Sequence, residues 1–497
     1  MNKNLAIIGL MFLLPYFGFA QDFTDALRIS NTRIEGSARA GGMGNAFGAL
    51  GGDFTSVSIN PAGLGIYRSG EFALTPYFGR TDADATYLGS QMNDYKYNLR
   101  FSNLNYVGTI RTGNQGESGL VGINFGVGVN RLNDFNAKMM VQGARANSSF
   151  MDYIAENANW NDWSEFYEEL AWKTDMLLLD QQNDEYYHDI MDAGYGQSQR
   201  KSYSYNGALD EYTFGVGLNF GHRFYLGATL GITDLYFKEY TVLREWDAQN
   251  NIPYFNDFSF GTSLRTSGTG YNFKLGAIFR PVDVVRLGVA VHTPTFYSLR
   301  DNFETWMESS ITYNDGTENY RQNSPFLDYE YNLETPFKAV VSGAVILAKK
   351  GLVSLDYEYL NYGKARLKDD SYGDEFINQN NDIAELFRAT GNIRLGGEYR
   401  LTDMFSVRAG FEHYPSAYKA NAFGVSQPNA ENQYNVYSAG FGYKSGGFFM
   451  DLAYRYAVNS EYNYLYPAPL TADYPVPSMA KFDRSTNKVM LTLGFRF

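Results

Sequence analysis

Residues Val489 to Phe497 read Val-Met-Leu-Thr-Leu-Gly-Phe-Arg-Phe. Side chains of an extended strand alternate between two faces, so Val489, Leu491, Leu493, Phe495 and Phe497 share one. A strand with one apolar face and an aromatic end suits the wall of a membrane barrel. It would equally suit the closing strand of a soluble β protein. The remaining sequence separates the two.

The same alternation recurs along the chain. It begins with Phe72, Leu74 and Phe78, then Leu104, Tyr106 and Ile110, then Val121, Ile123, Phe125, Val127 and Val129. Tyr212 to Phe220 and Phe224 to Ile232 flank Gly221-His222-Arg223, while Tyr271 to Phe279 and Val285 to Val291 flank Arg280-Pro281-Val282-Asp283. Further segments centre on Val341, Leu355, Leu395, Val407, Phe441 and Leu452. With the terminal strand these predict about fourteen strands. An even number suits a single-chain outer-membrane barrel, with both barrel ends on the periplasmic side.

Connection lengths agree. Residues 111–118, 221–223, 280–283, 348–351, 401–404 and 444–447 are short; 134–208, 247–262, 300–334, 367–390, 415–433 and 459–484 are long. Short turns belong to the periplasm and long loops to the exterior. The opposite strand faces carry Lys274, Arg286, Arg394, Glu398, Arg400, Asp451 and Arg455. Facing lipid, each would cost about 2–4 kcal/mol near the midplane, so they must face inward. The predicted fold is all-β, a transmembrane antiparallel barrel over residues 69–497.

Composition fits. Mean hydropathy is negative (−0.35), yet 17% of residues are aromatic, with 41 tyrosines and 50 glycines. Only alternate residues of a membrane strand meet lipid, and aromatic girdles mark its interfaces. Lys3, the apolar stretch Leu5–Phe19 and the small residues Gly18 and Ala20 predict a signal peptide over 1–20. The absence of cysteine excludes disulfides, thiolate metal sites and a cysteine nucleophile. A net charge of −13 excludes the basic footprint that nucleic acid requires.

Residues 21–68 do not read as strand. Ser37 to Asp53 is rich in glycine and alanine, and Ser58-Ile59-Asn60-Pro61-Ala62-Gly63-Leu64-Gly65 follows. Small residues permit close backbone packing, Asn60 can bond nearby backbone, and Pro61 restrains Asn60. Such a segment suits a hatch held against barrel walls, or a glycine-rich periplasmic lead.

This glycine-rich stretch leading into Asn60, Pro61 and Ala62, with about fourteen strands and a terminal Phe, resembles the FadL/TodX family of hydrophobic-compound transporters. Val291-His292-Thr293-Pro294-Thr295-Phe296-Tyr297 is similar to a recurring family segment. The resemblance implies an outer-membrane channel of a Gram-negative-type bacterium for passive uptake of hydrophobic or amphipathic molecules such as long-chain fatty acids or hydrocarbons. It implies an N-terminal hatch in the lumen, capture by outer loops and hatch-gated release. It also implies sideways exit at a kinked third strand, where Gly126 and Gly128 are the candidates. Partners would be the hydrophobic or lipid ligand, outer-membrane lipid and the barrel assembly machinery during biogenesis. No cofactor and no metal are implied. Some relatives instead serve as docking or shuttle subunits for secreted proteins, which is the alternative reading.

The 134–208 loop carries Trp160, Trp163, Phe166 and Trp172 among many acids, at spacings that predict short amphipathic helices. These rings would form a landing surface for apolar molecules, or pack together to roof the barrel. Arg286, Arg394, Arg400 and Arg455 are the lumenal cations for a carboxylate ligand, or pair with Glu398, Asp451 or hatch carbonyls. The four histidines lie on distant segments, and no Gly-x-Ser-x-Gly or His-Glu-x-x-His occurs, so the chain does not read as an enzyme. Asp369, Asp370, Asp374 and Glu375 lack an EF-hand pattern and read as a solvated loop.

Overall fold

The computed structural model describes residues 23–112, 119–160, 162–348, 350–369 and 376–497. The expected signal peptide, most of 111–118, and Asp370, Asp374 and Glu375 lie outside the described residues.

Fourteen antiparallel strands close on themselves. They are β1 (Glu71–Tyr87), β2 (Ser90–Arg111), β3 (Leu120–Asp134, continued by Ala137–Gly143), β4 (Ser198–Phe220), β5 (Phe224–Trp246) and β6 (Phe255–Val282). Next come β7 (Val285–His292, continued by Phe296–Tyr313), β8 (Leu327–Glu334, continued by Lys338–Leu347), β9 (Gly351–Asn361) and β10 (Ala389–Arg400). The ring ends with β11 (Phe405–Tyr414), β12 (Tyr434–Ser445), β13 (Phe448–Tyr464) and β14 (Met479–Arg496). β14 returns to β1, with Phe72 opposite Phe495 and Leu74 opposite Leu493. Closure removes the unpaired edge that no lipid-exposed sheet tolerates.

β5 shows how the sequence codes the wall. Phe224, Leu226, Ala228, Leu230 and Ile232 face out, while Tyr225, Thr229, Gly231 and Thr233 face in. The outward apolar run covers nine residues, the length that crosses a bilayer. Past it, Asp234, Lys238 and Arg244 alternate outward with Tyr236 and Tyr240. The strand nevertheless continues to Trp246, 23 residues in all.

That continuation corrects the expected connections. Much of 247–262 and 300–334 is strand, because above the membrane the ladder persists after the hydrophobic period has ended. Likewise β1 and β2 meet in a tight hairpin at Leu88-Gly89, both at positive φ. Its polar arms hid it from a search for apolar alternation.

The lumen is filled by the chain's own N-terminal segment. Helix α1 (Phe23–Ser30), helix α2 (Ala38–Gly41) and two 3₁₀ turns, Phe54–Ser58 and Pro61–Ile66, lie inside the ring, and residues 37–65 are buried nearly throughout. Ile29 and Ile34 of this segment join Leu132, Leu209, Leu235, Leu299, Leu333 and Phe387 in one buried, packed apolar cluster. A second apolar cluster closes the long-loop end.

Because Leu230 faces lipid and Thr229 faces the lumen, Leu230→Arg should destabilise the barrel by about 2–4 kcal/mol. Urea unfolding in lipid vesicles reads this; a loss below about 0.5 kcal/mol would place Leu230 off the lipid face.

Candidate functional site

The Asn60-Pro61-Ala62 turn is locked by side chain and proline together. Asn60 Oδ1 accepts from Ala62 N at 3.1 Å, capping the 3₁₀ turn, and Pro61 occupies its first position. Asn60 Nδ2 donates to Gly48 O (2.7 Å) within the hatch and to Ala277 O (3.2 Å) on β6. Glycines on the wall make this approach possible. A Cβ on Gly276 would lie 1.9 Å from Asn60 Oδ1, and one on Gly227 would lie 2.2 Å from the Pro61 carbonyl.

Charges complete the seal. Arg455 bridges Glu35 (2.8 Å) of the hatch and Glu412 (2.6 Å) of the wall, and Lys488 also holds Glu35 at 2.5 Å. Arg39 of the hatch pairs with Glu398 (3.1 Å), which Arg408 holds at 2.6 Å while also binding Asp451. Ser58 donates to Glu211, itself paired with Lys274. His292 Nε2 lies 2.9 Å from the Ile59 carbonyl, so that nitrogen carries the proton.

The four candidate lumenal arginines therefore divide. Arg394 reaches Glu358 (3.1 Å) and borders Asp356, which accepts from Gly48 N; Arg286 donates to Leu50 O at 2.8 Å; Arg455 is doubly paired. All three serve the hatch seal. Arg400 stands on the inward period but is exposed where β10 ends at the short-turn rim. It is not lumenal, because the strand outruns the plugged zone there.

The kink expected at Gly126 and Gly128 is displaced. Pairing with β2 and β4 runs unbroken through both residues. Phe54 of the hatch takes the space instead, with Cβ positions there falling 3.0 and 2.6 Å from its ring, and Leu64 crowds Gly126 as well. The irregularities lie higher. Ser102 of β2 is skipped between the pairs Thr75–Asn103 and Pro76–Phe101, and Leu132 of β3 between Arg131–Asp210 and Asn133–Leu209. Such bulges bend a strand and end its pairing.

The β2–β3 ladder stops there, at Asn103–Asn130. Side chains bridge the window above: Tyr77 of β1 and Asn98 of β2 both donate to Asp134 of β3 (2.6 and 2.7 Å), and Lys138 pairs with Asp94 at 3.4 Å, while Arg131 holds Asp210 of the next strand, β4, bidentately (2.8 and 2.9 Å). From inside, the hatch covers the free edge of β3. Arg33 N donates to Leu132 O (2.7 Å), Glu35 N to Arg131 O (2.9 Å), and Ser102 Oγ to Gly36 O (2.7 Å). Sequence reading missed this window, although Pro76 within a strand and the lost alternation at Ser102-Asn103 were its signals.

The long loop divides into a buried set and an exposed set. Phe150, Ile154, Leu170 and Leu177 are buried against Tyr87, Phe258, Phe260 and Tyr466 and roof the barrel. Trp160, Trp163 and Trp172 stay outside, 53, 38 and 42% exposed. Trp163 and Trp172 meet edge to face at 6.5 Å and share Tyr186, while Phe166 sits 5.6 Å from Phe303. The capping box of helix α3 (Phe150–Asn159) is tied down by Glu245, which accepts from Ser149 Oγ and Phe150 N.

A family model described as outer membrane protein transport protein (OMPP1/FadL/TodX) matches residues 199–467, over half of the chain. The chain belongs to the FadL/TodX family. It is thus an outer-membrane transport channel of Gram-negative-type cells. Among solved structures, a Pseudomonas aeruginosa FadL homologue aligns at 13% identity with a TM-score of 0.57, covering 94% of this chain and 99% of that one. The P. putida toluene transporter TodX aligns at 13% identity with a TM-score of 0.49 (94% and 99% covered). The Ralstonia pickettii toluene transporter TbuX gives 13% and 0.46 (93% and 98%). The first likeness shows the FadL fold; no curated protein matches the sequence. The matched stretch starts in β4, so what is said of the hatch and window of this FadL-family barrel rests on their own geometry.

Glu168, in helix α4 (Glu168–Lys173) of the outer loop, is buried, and burial pushes its carboxyl up to about 7 despite bonds from Asn157 and Ser164. An acid whose folded pKa is raised binds more protons folded than unfolded, so stability falls as pH rises from about 4.3 to 7 and is level above. Hydrogen exchange of α4, corrected for intrinsic rates, should show more protection at pH 5 than at pH 8, and Glu168→Gln should flatten the difference. Equal protection in the wild type would refute it.

Proposed function

We propose that this channel admits hydrophobic or amphipathic molecules passively: exposed loop rings capture them, the buried apolar cluster parts to hold them, and they leave sideways. One observation carries the reading. The hatch lies across the β2–β3 window and bonds the free edge of β3 where the ladder ends. Below, ion pairs and glycine contacts hold the hatch against the wall, and Glu35 carries the pairs to Arg455 and Lys488; residues 31–34 meet β3 only through hydrogen bonds, from Arg33 N to Leu132 O and from Asn133 to Asn31 O. Displacing residues 31–34, short of the Glu35 ion pairs, is the movement that would uncover the window without expelling the whole hatch. The buried cluster beside the window is built of Leu, Ile, Phe and Tyr side chains, so a molecule that parts them meets apolar surface, which favours apolar cargo over ions or sugars. Relatives of the same fold include transporters named for toluene, which fits.

In this account Trp160, Trp163, Phe166 and Trp172 are the capture residues, and Asn60, Pro61 and Ala62 anchor the hatch. Arg394, Arg286 and Arg455 hold the hatch rather than the cargo.

The test is uptake of tritiated oleate and of toluene by cells that make the barrel or lack it. Uptake should depend on the barrel. Replacing Trp160, Trp163 and Trp172 together with Ala should weaken capture roughly tenfold or more, at about 1 kcal/mol per ring, with assembly intact. Unchanged uptake in the triple variant would sink the capture role. Barrel-independent uptake together with a stably bound secreted protein would instead favour the docking-subunit alternative.

A further inference from the structure

Immediately below the window, the outer wall is not smooth. The window mouth is a cavity of about 340 Å³ lined by Leu74, Phe101, Ser102, Asn103, Leu104, Val129, Arg131 and Asp210. Leu104 and Val129 form the last outward cross-strand pair beneath it. Two residues further down come Tyr106 and Val127, and these already line a larger groove of about 890 Å³ on the lipid side.

The floor of that groove is made of residues too small to fill it. Gly108 stands on the outward period of β2 between Tyr106 and Ile110, opposite Phe125, and a Cβ added there would meet nothing closer than the Tyr106 ring at 3.8 Å. On β5, Ala228 falls between Leu226 and Leu230. Aromatic rings make the rim: Tyr106, Phe214, Phe273 and Phe497, the last lying 6.0 Å from Tyr106. From Leu104 to Ile110 the strand descends about 20 Å, comparable to an extended long alkyl chain.

Polarity is graded along this path. Ser102, Asn103 and the Arg131–Asp210 pair are at the top, and the groove below is apolar apart from Thr109 and Thr229. We infer that the groove formed by β2–β6 is a second, outer-wall site, which receives the apolar body of a long-chain amphiphile as it leaves the window while its polar end stays beside Ser102 and Arg131. Annular lipid is the competing occupant. Continuity with the window favours the departing molecule: Leu104 and Val129 belong to the mouth, and the next outward pair belongs to the groove. The inference rests on the sideways exit proposed above.

The wall supplies its own control. Gly343 on β8, across the ring, is also flanked by outward residues, Val341 and Val345, and has open space around it. Gly108→Trp fills the groove, whereas Gly343→Trp adds the same ring elsewhere. Assembly of both is checked by heat-modifiable gel migration. Tritiated oleate uptake should be roughly fivefold slower in Gly108→Trp than in Gly343→Trp, with the latter near wild type.

A binding readout runs beside it. The five native tryptophans all lie outside the membrane-facing strand segments, at residues 160, 163, 172, 246 and 306. Tyr106→Trp on the groove rim and Tyr357→Trp on β9 each add one ring to that background. In nanodiscs, 9,10-dibromostearate should quench the added Tyr106→Trp emission at a lower concentration than that of Tyr357→Trp. Equal uptake by the two glycine variants, or equal quenching of the two reporters, would overturn the groove while leaving transport itself standing. Wild-type cells that take up oleate no faster than cells without the barrel would remove the transport reading and the groove with it.

Discussion

A strand wall in lipid must be apolar outside, so every charge it carries has to be answered within. In this barrel the answer comes from residues 33–66 of the same chain. Glu35 pairs with both Arg455 and Lys488 beside the wall's own Glu412 and Asp134, and Arg39 completes a cluster with Glu398, Arg408 and Asp451. Buried ions are costly unless paired and hydrogen-bonded, so removing the hatch would strip a partner from each of these clusters at once. The hatch is therefore part of the wall's electrostatics, and a channel built this way cannot simply eject its stopper. It needs a weaker spot to move.

The window is the candidate for that spot. Ser102 bulges from the β1–β2 ladder and Leu132 from the β3–β4 ladder, flanking the point where β2–β3 pairing stops, and the hatch backbone at Arg33–Glu35 bonds the free edge of β3. Hydrogen bonds from Arg33 N to Leu132 O and from Asn133 to Asn31 O tie residues 31–34 to β3 there, against the ion pairing below. On the proposed function, a small displacement of this segment would open a route without a water-filled bore through the membrane.

Much of this was legible in the sequence. All fourteen strand centres followed from alternation, since a lipid-facing strand has no other way to satisfy both sides. The inward arginines do pair, because charge in a closed lumen must find partners, but only Arg286 takes an expected one, a hatch carbonyl, while Arg394 meets Glu358 and Arg455 meets Glu35 and Glu412. What could not be read was everything set by long-range register. The true strand ends lie in polar stretches such as Asp234–Trp246, where hydrogen bonding persists without hydrophobic period. Gly126 and Gly128 suggested a bend, but a glycine signals only missing volume, and here Phe54 and Leu64 take that volume from inside. The bulges are visible only when two strands are paired. Arg400 satisfied the alternation and still lay beyond the plug, since period gives a face and not a height.

The central claim is that residues 31–34 must leave β3 for cargo to pass. The chain has no cysteine, so Arg33→Cys and Leu132→Cys would place a single disulfide between the hatch and the strand edge it bonds. The account predicts that oleate uptake is lost in the oxidised double variant and returns on reduction, with each single variant transporting normally. Undiminished uptake through a barrel shown to be fully cross-linked would contradict it.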